Sequence, residues 1–278
     1  MADGLAVDPR TTDGLRRRRL FGLEFIDAPD LKPVLHAILN RPPSRSASVF
    51  PAVVTPNVDI LVQLNRATDA IENEVFWRAQ YVLPDGMPIV VASRLLGSTL
   101  AARLTGSGLF EILWPALVAQ DRSVVVLSAS TAIARRLGSE ATAARFVTPP
   151  LFDSDDREAV DAVVGELLEA AHERSPEYVL FGLGHPKDSI LAARLVERWP
   201  TELAQPLCCC LGGSFAMYAG FKRRAPQWMQ QVGLEWLYRF AQEPRRLFRR
   251  YFVRDLAFFG IVARAYQAKR KAGTWETS

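Results

Sequence analysis

The sequence predicts an α/β fold in which short apolar strands alternate with amphipathic helices. Apolar runs of a few residues recur along the chain, segments with helical periodicity separate them, and no internal repeat interrupts this order. The 278 residues are 49% hydrophobic and 23% charged. That composition is sufficient for a substantial core, either in one large domain or in two lobes.

Each predicted strand is a short apolar run, and each predicted helix begins at or just after a polar residue. The strands are predicted at residues 52–55, 89–92, 123–127, 178–181 and 207–211. The helices are predicted at residues 58–73, 130–137, 156–174 and 189–199. We interpret the segment before Val124 and the segment from Val124 onward as two lobes with a cleft between them.

The positive charge is concentrated near the two ends of the chain. The net charge is only +4, but residues 16–19 form one block of arginines and the C-terminal region contains another. The chain has no recognisable nucleic-acid-binding motif, and the aromatic residues near the second block follow helical spacing. We therefore expect an anionic membrane surface, and no nucleic acid, as the partner of these blocks.

The N-terminus and the hydropathy pattern predict a cytoplasmic location. No apolar run is as long as the roughly 18 residues required of a membrane-spanning helix. Asp3 and Asp8 precede the first arginine block, an order that differs from a secretory signal. Cys208, Cys209 and Cys210 are consecutive within an apolar run, which predicts a buried strand instead of a metal site or a disulfide framework.

Several motifs occur in order along the chain. They are Val-Thr-Pro-Asn-Val-Asp at 54–59, Leu-Pro-Asp-Gly-Met-Pro at 83–88, Arg-Leu-Thr-Gly-Ser at 103–107, Phe-Gly-Leu-Gly-His-Pro-Lys at 181–187, and a signature at 212–251 that opens with Gly-Gly-Ser-Phe-Ala-Met-Tyr-Ala-Gly. With these motifs the chain resembles the WecG/TagA/CpsF glycosyltransferases, from about residue 20 to about residue 251. The resemblance implies a Rossmann-like α/β fold.

The resemblance also implies an activity. Such an enzyme is an inverting glycosyltransferase that moves a sugar from a UDP-sugar donor to a polyprenyl-diphosphate-linked oligosaccharide. It works at the inner face of the bacterial cytoplasmic membrane, and the motif wording is closest to the exopolysaccharide branch of the family. No cofactor and no metal ion are implied. The alternative is a catalytically inactive, membrane-associated member that scaffolds a glycan-assembly complex.

Asp85 is the predicted catalytic base. An inverting transfer needs a base near the acceptor hydroxyl, and a carboxylate within hydrogen-bonding reach can accept that proton. Without the resemblance, Asp85 followed by Gly86 is most often a turn. The resemblance also assigns Thr55, Asn57 and Arg103 to the active site, with Arg103 offsetting charge on the leaving diphosphate. Asn57 is equally suited to cap the helix that follows it.

A second group of candidate residues is assigned to donor binding. The group consists of Gly182, Gly184, His185, Lys187, Gly212 and Gly213. These residues follow predicted strands, where backbone amides and a lysine can hold a diphosphate. A tight strand-to-helix turn with a solvated lysine is the alternative, and the resemblance favours the donor site. For His185 the alternatives are a contact to phosphate or ribose, and packing against Pro186.

Asp153 and Asp155 match the Asp-x-Asp metal motif of a different glycosyltransferase fold. An amphipathic helix pattern begins directly after them, and acidic residues are favoured in the first turn of a helix. We therefore interpret this pair as the start of a helix and predict no metal site.

The chain departs from the family pattern near the donor site. Asp188 and Ser189 replace the usual Gln-Glu, Ala216 replaces an aspartate, and Ser128 and Ser130 stand where glycines are more usual. An acid at position 188 would repel a diphosphate unless its side chain turned away to cap the following helix. These changes predict either a shifted donor preference or lost catalysis. Retention of the four catalytic candidates favours an active enzyme.

The C-terminal region is predicted to be an amphipathic appendage. We divide the chain into a basic tail (1–19), a glycosyltransferase core (20–232) and an arginine-rich appendage (233–278). Aromatic residues recur between arginines at helical spacing, which fits a helix that lies in a membrane interface. The membrane and acceptor candidates are Arg239, Arg245, Arg246, Arg249 and Arg250. Alternatively, the aromatics pack onto the protein's own cleft or onto a partner subunit of a homo-oligomer.

Overall fold

The computed structural model describes residues 13–42, 49–66, 71–141, 143–223, 225, 226, 229 and 235–272. The strands in these ranges are β1 Arg17–Leu20, β2 Leu23–Ile26, β3 Phe50–Val54, β4 Ala79–Val82, β5 Val124–Leu127, β6 Ala144–Val147, β7 Tyr178–Phe181 and β8 Leu207–Cys210. They form one sheet in the order β1-β2-β4-β3-β8-β7-β5-β6. The pairing of β1 with β2 is antiparallel, and the other pairings are parallel.

Helices connect the parallel strands and continue beyond the last one. Those between the strands are α1 Lys32–Leu39, α2 Val58–Leu64, α3 Ile71–Trp77, α4 Met87–Leu95, α5 Gly106–Ala119, α6 Thr131–Gly138, α7 Arg157–Arg174 and α8 Lys187–Glu197. After β8 follow α9 Ser214–Tyr218, α10 Glu235–Gln242, α11 Pro244–Arg249, a π-helix Arg250–Arg254 and α12 Ala257–Ala272.

Residues 89–92 belong to helix α4, so the strand predicted there is wrong. Gly86 and Pro88 lie at the start of this helix, where the fixed φ of proline and its missing N–H are tolerated. Within the helix, the Ser93 hydroxyl donates to the Val90 carbonyl oxygen at 2.7 Å. A short apolar run fits a buried helix as well as a strand, so its periodicity alone does not separate the two.

In other places the structure has two helices where one was predicted, or a helix or strand where none was predicted. The single helix expected at 58–73 is two helices, because α2 ends at Leu64 and its C-cap is Asn65, whose side chain donates to the Leu61 carbonyl oxygen at 3.0 Å. The elements absent from the prediction are β1, β2, β4, β6, α1, α5 and α9. Gln80 interrupts the apolar run of β4, and Pro115 lies inside α5. The remaining predicted elements are confirmed, with ends that differ by at most two residues.

The sheet is buried on both faces, as expected for parallel strands covered by helices. Val54 and Cys208 belong to the apolar cluster on one face, and Val53 and Cys209 to the cluster on the other. The three cysteines are free thiols in β8, which confirms the predicted buried strand. Because β3 lies between β4 and β8, strands from both predicted lobes share one sheet, and the two-lobe division stays a prediction.

The N-terminal arginine block lies partly inside the sheet. Arg17 in β1 forms an ion pair with Asp13. Arg16 and Arg18 both contact the Asp27 carboxylate, at 3.1 and 3.2 Å. The sheet therefore begins within the segment assigned to a basic tail, and these arginines already have anionic partners.

The C-terminal helices pack against the sheet and its connecting helices. Phe258 of α12 is buried in the same cluster as one sheet face and makes an edge contact with Phe21, with ring centroids 5.5 Å apart. At the far end of α12, the Lys269 ammonium group donates to the Leu96 carbonyl oxygen at 2.7 Å. None of the helices in the described ranges is long and apolar enough to cross a membrane.

Candidate active site

An open cleft of about 370 Å³ lies at the carboxyl ends of β3, β4, β7 and β8. Ligands of parallel α/β sheets collect at this edge, because strand ends and helix N-termini meet there. Among the predicted site residues, those that line the cleft are Thr55, Asn57, Asp85, Gly184, His185, Gly212, Gly213 and Arg250. Among the residues that the structure describes, the cleft lining does not include Gly182, Lys187, Arg103 or Arg245.

Thr55, Asn57 and Asp85 come together because β3 and β4 are neighbours in the sheet. The Asp85 backbone N–H donates to the Pro56 carbonyl oxygen at 3.2 Å, which ties the two strand ends to each other. The Asp85 carboxylate is half-buried and lies 3.4 Å from the backbone N–H of Gly106, the first residue of α5. The side chain predicted as the base therefore faces the cleft at a fixed position.

Asn57 caps helix α2. Its side-chain oxygen accepts a hydrogen bond from the Ile60 backbone N–H at 3.1 Å, which confirms the capping alternative. The residue nevertheless remains part of the cleft lining. The cap thus fixes the orientation of the amide, and its nitrogen is the group that a ligand can approach.

Arg103 lies apart from the cleft lining. Its guanidinium group contacts the Glu235 carboxylate of α10 at 2.9 Å, and both side chains are largely buried. Removing one partner of such a pair destabilises the fold, because the other partner is left as an unpaired buried charge. The predicted catalytic arginine is therefore held by the C-terminal region of the chain.

Gly182 has a packing role, because it leaves room for the Phe215 ring. A Cβ atom at this position would lie 2.2 Å from the Phe215 ring, so the ring occupies the space that any other residue would need. Phe215 stacks in turn on Phe110, with ring centroids 4.4 Å apart. Gly182 therefore allows α9 to approach the end of β7, and it does not contact the cleft.

Asp188 holds two loops together. One carboxylate oxygen accepts hydrogen bonds from the backbone N–H groups of Leu183 and Gly184, both at 2.9 Å, and the other accepts one from Gly212 at 3.0 Å. The side chain is buried, and burial raises the pKa of its carboxyl to about 6, against the opposing effect of these hydrogen bonds. The acid thus turns onto the backbone of the two loops and does not cap α8, which has no side-chain cap.

This arrangement corrects the predicted role of the loop amides. The N–H groups of Leu183, Gly184 and Gly212 point at Asp188, so they are not offered to a diphosphate. Gly212 has a positive φ of 55°, and a Cβ there would lie 3.3 Å from the Gly184 Cα. Glycine is therefore needed at 212 for the two loops to meet.

Lys187 does not reach the predicted donor site. Its ammonium group lies 4.4 Å from the centre of the Phe152 ring and donates to the Phe152 carbonyl oxygen. Ala216, which stands where the family has an acid, is buried in an apolar cluster. Neither residue therefore contributes a charged group to the cleft lining.

His185 lies on the cleft wall with its ring held on two sides. Its Nδ1 atom lies 3.2 Å from the Ser189 hydroxyl oxygen, and the ring makes an edge contact with Phe76. Burial lowers the pKa of His185 to about 4; to a smaller extent the Asp59 carboxylate raises this pKa and the Arg250 guanidinium group lowers it. The imidazole is therefore neutral at neutral pH, so it does not supply positive charge for a phosphate.

The C-terminal helices form one wall of the cleft. Leu247, Arg250 and Tyr251 all line it. The Arg250 side chain also contacts the Asp59 carboxylate at 3.4 Å, and Arg254 contacts the same carboxylate at 3.1 Å. Part of the region expected to face a membrane thus faces the site, in agreement with the alternative that it packs onto the protein's own cleft.

Of the other four arginines assigned to the membrane or acceptor, the structure describes one side chain. Arg245 is exposed to solvent. The side chains of Arg239, Arg246 and Arg249 lie outside the described part of the chain. Their assignment to membrane or acceptor stays a prediction.

Several residues that line the cleft were not predicted as site residues from the sequence. Lys222 and Arg223 are exposed at the rim and add positive charge, and Asp59 adds the carboxylate that pairs with Arg250. Asp59 follows Asn57 on the first turn of α2, so its position next to a predicted site residue was an available signal. Its long-range partner in the C-terminal helices had no local signal.

Asp153 and Asp155 lie at the start of α7, as predicted. The Asp153 carboxylate accepts a hydrogen bond from the Asp155 backbone N–H at 3.2 Å, and Asp156 caps the helix by accepting from Ala159. Ser130 likewise caps α6 by accepting from Ile133. The acidic pair therefore shapes a turn and a helix start.

The fold and the cleft define an α/β protein whose ligand site lies at the carboxyl edge of a parallel sheet. Residues 18–272 match the model of the glycosyl transferase WecG/TagA/CpsF family. The chain belongs to this family of glycosyltransferase enzymes.

The chain is also similar to proteins named N-acetylglucosaminyldiphosphoundecaprenol N-acetyl-beta-D-mannosaminyltransferase. The one from Bacillus spizizenii is 24% identical over 232 residues, which cover 81% of this chain and 82% of the relative. The one from Staphylococcus aureus is 25% identical over 224 residues, which cover 79% and 81%. For the Bacillus subtilis protein the identity is 25% over 173 residues, with 62% and 65% covered.

Replacing Gly182 with alanine is expected to destabilise the fold. The added methyl group would overlap the Phe215 ring, and overpacking of this kind costs about 1 to 3 kcal/mol. Urea unfolding of Gly182→Ala measures this loss. Gly213→Ala is the matched control, because a Cβ at 213 meets nothing within 4 Å. Equal unfolding free energies for the two variants would contradict the packing role.

Replacing Asp188 with asparagine is expected to change how stability depends on pH. Since the folded pKa of Asp188 is about 6, above the ordinary 3.8, its contribution to stability is fully present below pH 3.8 and is lost as the pH rises through 6. The unaltered protein should therefore lose stability relative to Asp188→Asn between pH 4 and pH 7, by on the order of 1 to 3 kcal/mol.

Urea unfolding of both proteins across this pH range makes the comparison. The Asp255 carboxyl, whose pKa burial also raises to about 6, is present in both proteins and cancels in the difference. Parallel pH curves would show that Asp188 does not titrate as its burial requires.

Proposed function

We propose that the protein is an inverting, metal-independent glycosyltransferase with a UDP-sugar donor and a polyprenyl-diphosphate-linked oligosaccharide acceptor. Its setting is bacterial exopolysaccharide or other surface-glycan assembly at the inner face of the cytoplasmic membrane. The names of its relatives support a lipid-diphosphate acceptor, since those enzymes are named for N-acetylmannosaminyl transfer to N-acetylglucosaminyl-diphosphoundecaprenol.

The proposal rests chiefly on the position of the Asp85 carboxylate in the cleft. Asp85 is held by the end of β3 on its backbone and by the first turn of α5 on its side chain. A fixed carboxylate beside an open space can take the proton of an acceptor hydroxyl as that hydroxyl attacks the sugar. One base opposite one leaving group is what a single displacement with inversion requires. Thr55 and Asn57 line the same part of the cleft and orient the reacting sugars.

Positive charge for the diphosphates comes from other residues of the cleft lining. Lys222 and Arg223 lie at its rim, and Arg250 lies on the C-terminal wall. Cationic side chains that contact a leaving diphosphate stabilise the charge that develops on it, which is the service that a metal ion performs in other transferases. Arg103 is paired with Glu235 outside the cleft lining, so it adds to this charge only if that ion pair opens.

The C-terminal helices present a surface suited to a membrane interface. Phe248, Phe252 and Phe259 are 57%, 45% and 71% exposed. Exposed aromatic side chains next to arginines are typical of helices that lie at the boundary of lipid head groups. A membrane contact here would bring the lipid-linked acceptor to the cleft wall that contains Arg250. A homo-oligomer that covers these aromatics is the competing arrangement.

The alternative function is a scaffold without catalysis. The changes at 188, 189 and 216 favour it, because they remove the family's side chains from the donor site. The position of Asp85 in the open cleft, together with Thr55 and Asn57, favours the enzyme.

Asp85→Asn is expected to lower turnover by about 100-fold or more while the affinity for UDP stays nearly unchanged, because the base is lost and the donor contacts are kept. Release of UDP from UDP-sugars in the presence of a lipid-diphosphate-linked acceptor measures turnover, with and without EDTA. Asp155→Asn, an exposed carboxylate at the start of α7, is the matched control. Turnover that persists in Asp85→Asn would remove Asp85 from its role.

Calorimetric titration with UDP, and with GDP for comparison, decides between enzyme and scaffold. Selective UDP binding that survives EDTA supports a metal-free donor site. No binding of either nucleotide to the folded protein would favour the scaffold.

Replacing Phe248 and Phe259 together with serine is expected to weaken binding to vesicles that contain anionic lipid by at least several-fold, since each exposed ring loses its transfer into the interface. Sedimentation with the vesicles measures this change. Leu95→Ser is the matched control, because Leu95 is 61% exposed on α4, outside the C-terminal helices. An equal effect of both changes would argue against a specific membrane surface.

A further inference from the structure

Two consecutive residues of helix α8, Asp188 and Ser189, determine what the loop after β7 can offer to a ligand. Asp188 accepts the hydrogen bonds of the Leu183 and Gly184 amides. A phosphate would need those amides as donors, and they are already committed to a buried carboxylate. Leu183, Gly184 and His185 of this loop line the cleft, and among these the polar side chain is that of His185.

Ser189 determines which nitrogen of His185 carries the proton. The Ser189 hydroxyl lies 2.9 Å from the Pro186 carbonyl oxygen, which can only accept a hydrogen bond. A hydroxyl has one hydrogen, so the Ser189 oxygen is left as an acceptor toward His185 Nδ1, 3.2 Å away. The neutral imidazole therefore carries its proton on Nδ1, and Nε2 presents a lone pair.

The surroundings of the ring keep it in this form. Phe76 packs its ring against the imidazole, with centroids 5.4 Å apart and an interplanar angle of 82°. The charged groups that act on the imidazole, Asp59 and Arg250, have opposite signs and form an ion pair with each other. An imidazole held in one orientation with a lone pair on Nε2 attracts a hydroxyl group and repels the oxygens of a phosphate.

We propose that His185 is a specificity residue whose Nε2 accepts a hydrogen bond from a hydroxyl group of the donor, and that Ser189 is the positioning residue that fixes its tautomer. The hydroxyl belongs either to the ribose or to the transferred sugar. This inference rests on the proposed function, since it takes a nucleotide sugar as the ligand. The diphosphate then lies toward Lys222 and Arg223, on the cationic rim.

The tautomer can be read without any ligand. In nitrogen-15 labelled protein, NMR spectra that correlate the imidazole nitrogens with ring protons two bonds away distinguish a proton on Nδ1 from one on Nε2. Comparison with His185→Gln identifies the signals of this ring. We expect the Nδ1-protonated form at pH 7, and a mixture of both forms in Ser189→Ala. Ser139→Ala is the matched control, because the Ser139 hydroxyl makes the same kind of bond, to the Arg136 carbonyl oxygen at 2.8 Å, on a different helix.

An Nε2-protonated or charged ring at pH 7 in the unaltered protein would overturn the proposal. So would an unchanged tautomer in Ser189→Ala, because Ser189 would then have no positioning role.

Calorimetry with UDP, UDP-N-acetylglucosamine, UDP-glucose and inorganic pyrophosphate identifies the bound hydroxyl. His185→Leu is expected to weaken the contact by about tenfold, the effect of losing one hydrogen bond to a neutral group. His185→Gln keeps a neutral acceptor and should restore part of the affinity. A loss seen already with UDP assigns the ribose hydroxyl, and a loss confined to the UDP-sugars assigns a hydroxyl of the sugar.

Pyrophosphate affinity should be the same in all three proteins. A parallel loss for pyrophosphate, or unchanged affinity of His185→Leu for UDP and the UDP-sugars, would overturn the proposed contact. If the unaltered protein binds neither UDP nor a UDP-sugar, the proposed function fails and the donor contact fails with it, while the tautomer is still decided by the spectra.

Discussion

The carboxylate of Asp188 joins the two loops that form the floor of the cleft. The loop after β7 and the turn after β8 are adjacent because their strands are adjacent, but strand pairing ends at Phe181 and Cys210. Beyond that point, the hydrogen bonds from Gly184 and Gly212 to Asp188 continue the connection. The acid is buried, and the backbone N–H groups that contact it offset part of the cost of burying its charge.

This use of the loop amides divides the cleft into regions with different chemistry. The floor near His185 is neutral and offers an acceptor, and the rim near Lys222 and Arg223 is positively charged. Asp85 supplies negative charge at the end of β4, and Asp59 supplies a second carboxylate that is paired with Arg250. A ligand that combines hydroxyl groups with a diphosphate contains groups that can pair with each of these.

Local sequence signals were sufficient for much of the fold and for part of the site. The apolar runs of β5, β7 and β8 and the capped start of α7 have short-range causes, so the sequence predicts them. The strand predicted at 89–92 is wrong because this run is apolar through its burial in helix α4, and an apolar composition does not distinguish a buried helix from a strand. Of the site, motif positions predicted Asp85 and Asn57. The partners of Arg103 and Asp59 lie more than 100 residues away, at Glu235 and Arg250, and no local pattern indicates such pairs.

The ion pair between Arg103 and Glu235 connects the loop after α4 to the C-terminal helices. A ligand that draws the Arg103 guanidinium toward the cleft must first separate it from Glu235. Occupancy of the cleft and docking of α10 are then linked equilibria, and linkage requires each to oppose the other by the same factor. Ionic strength has little effect on this linkage, since dissolved ions screen a largely buried ion pair only weakly. The free energy of ligand binding, and not the salt content of the surroundings, would thereby set how readily this arginine becomes available.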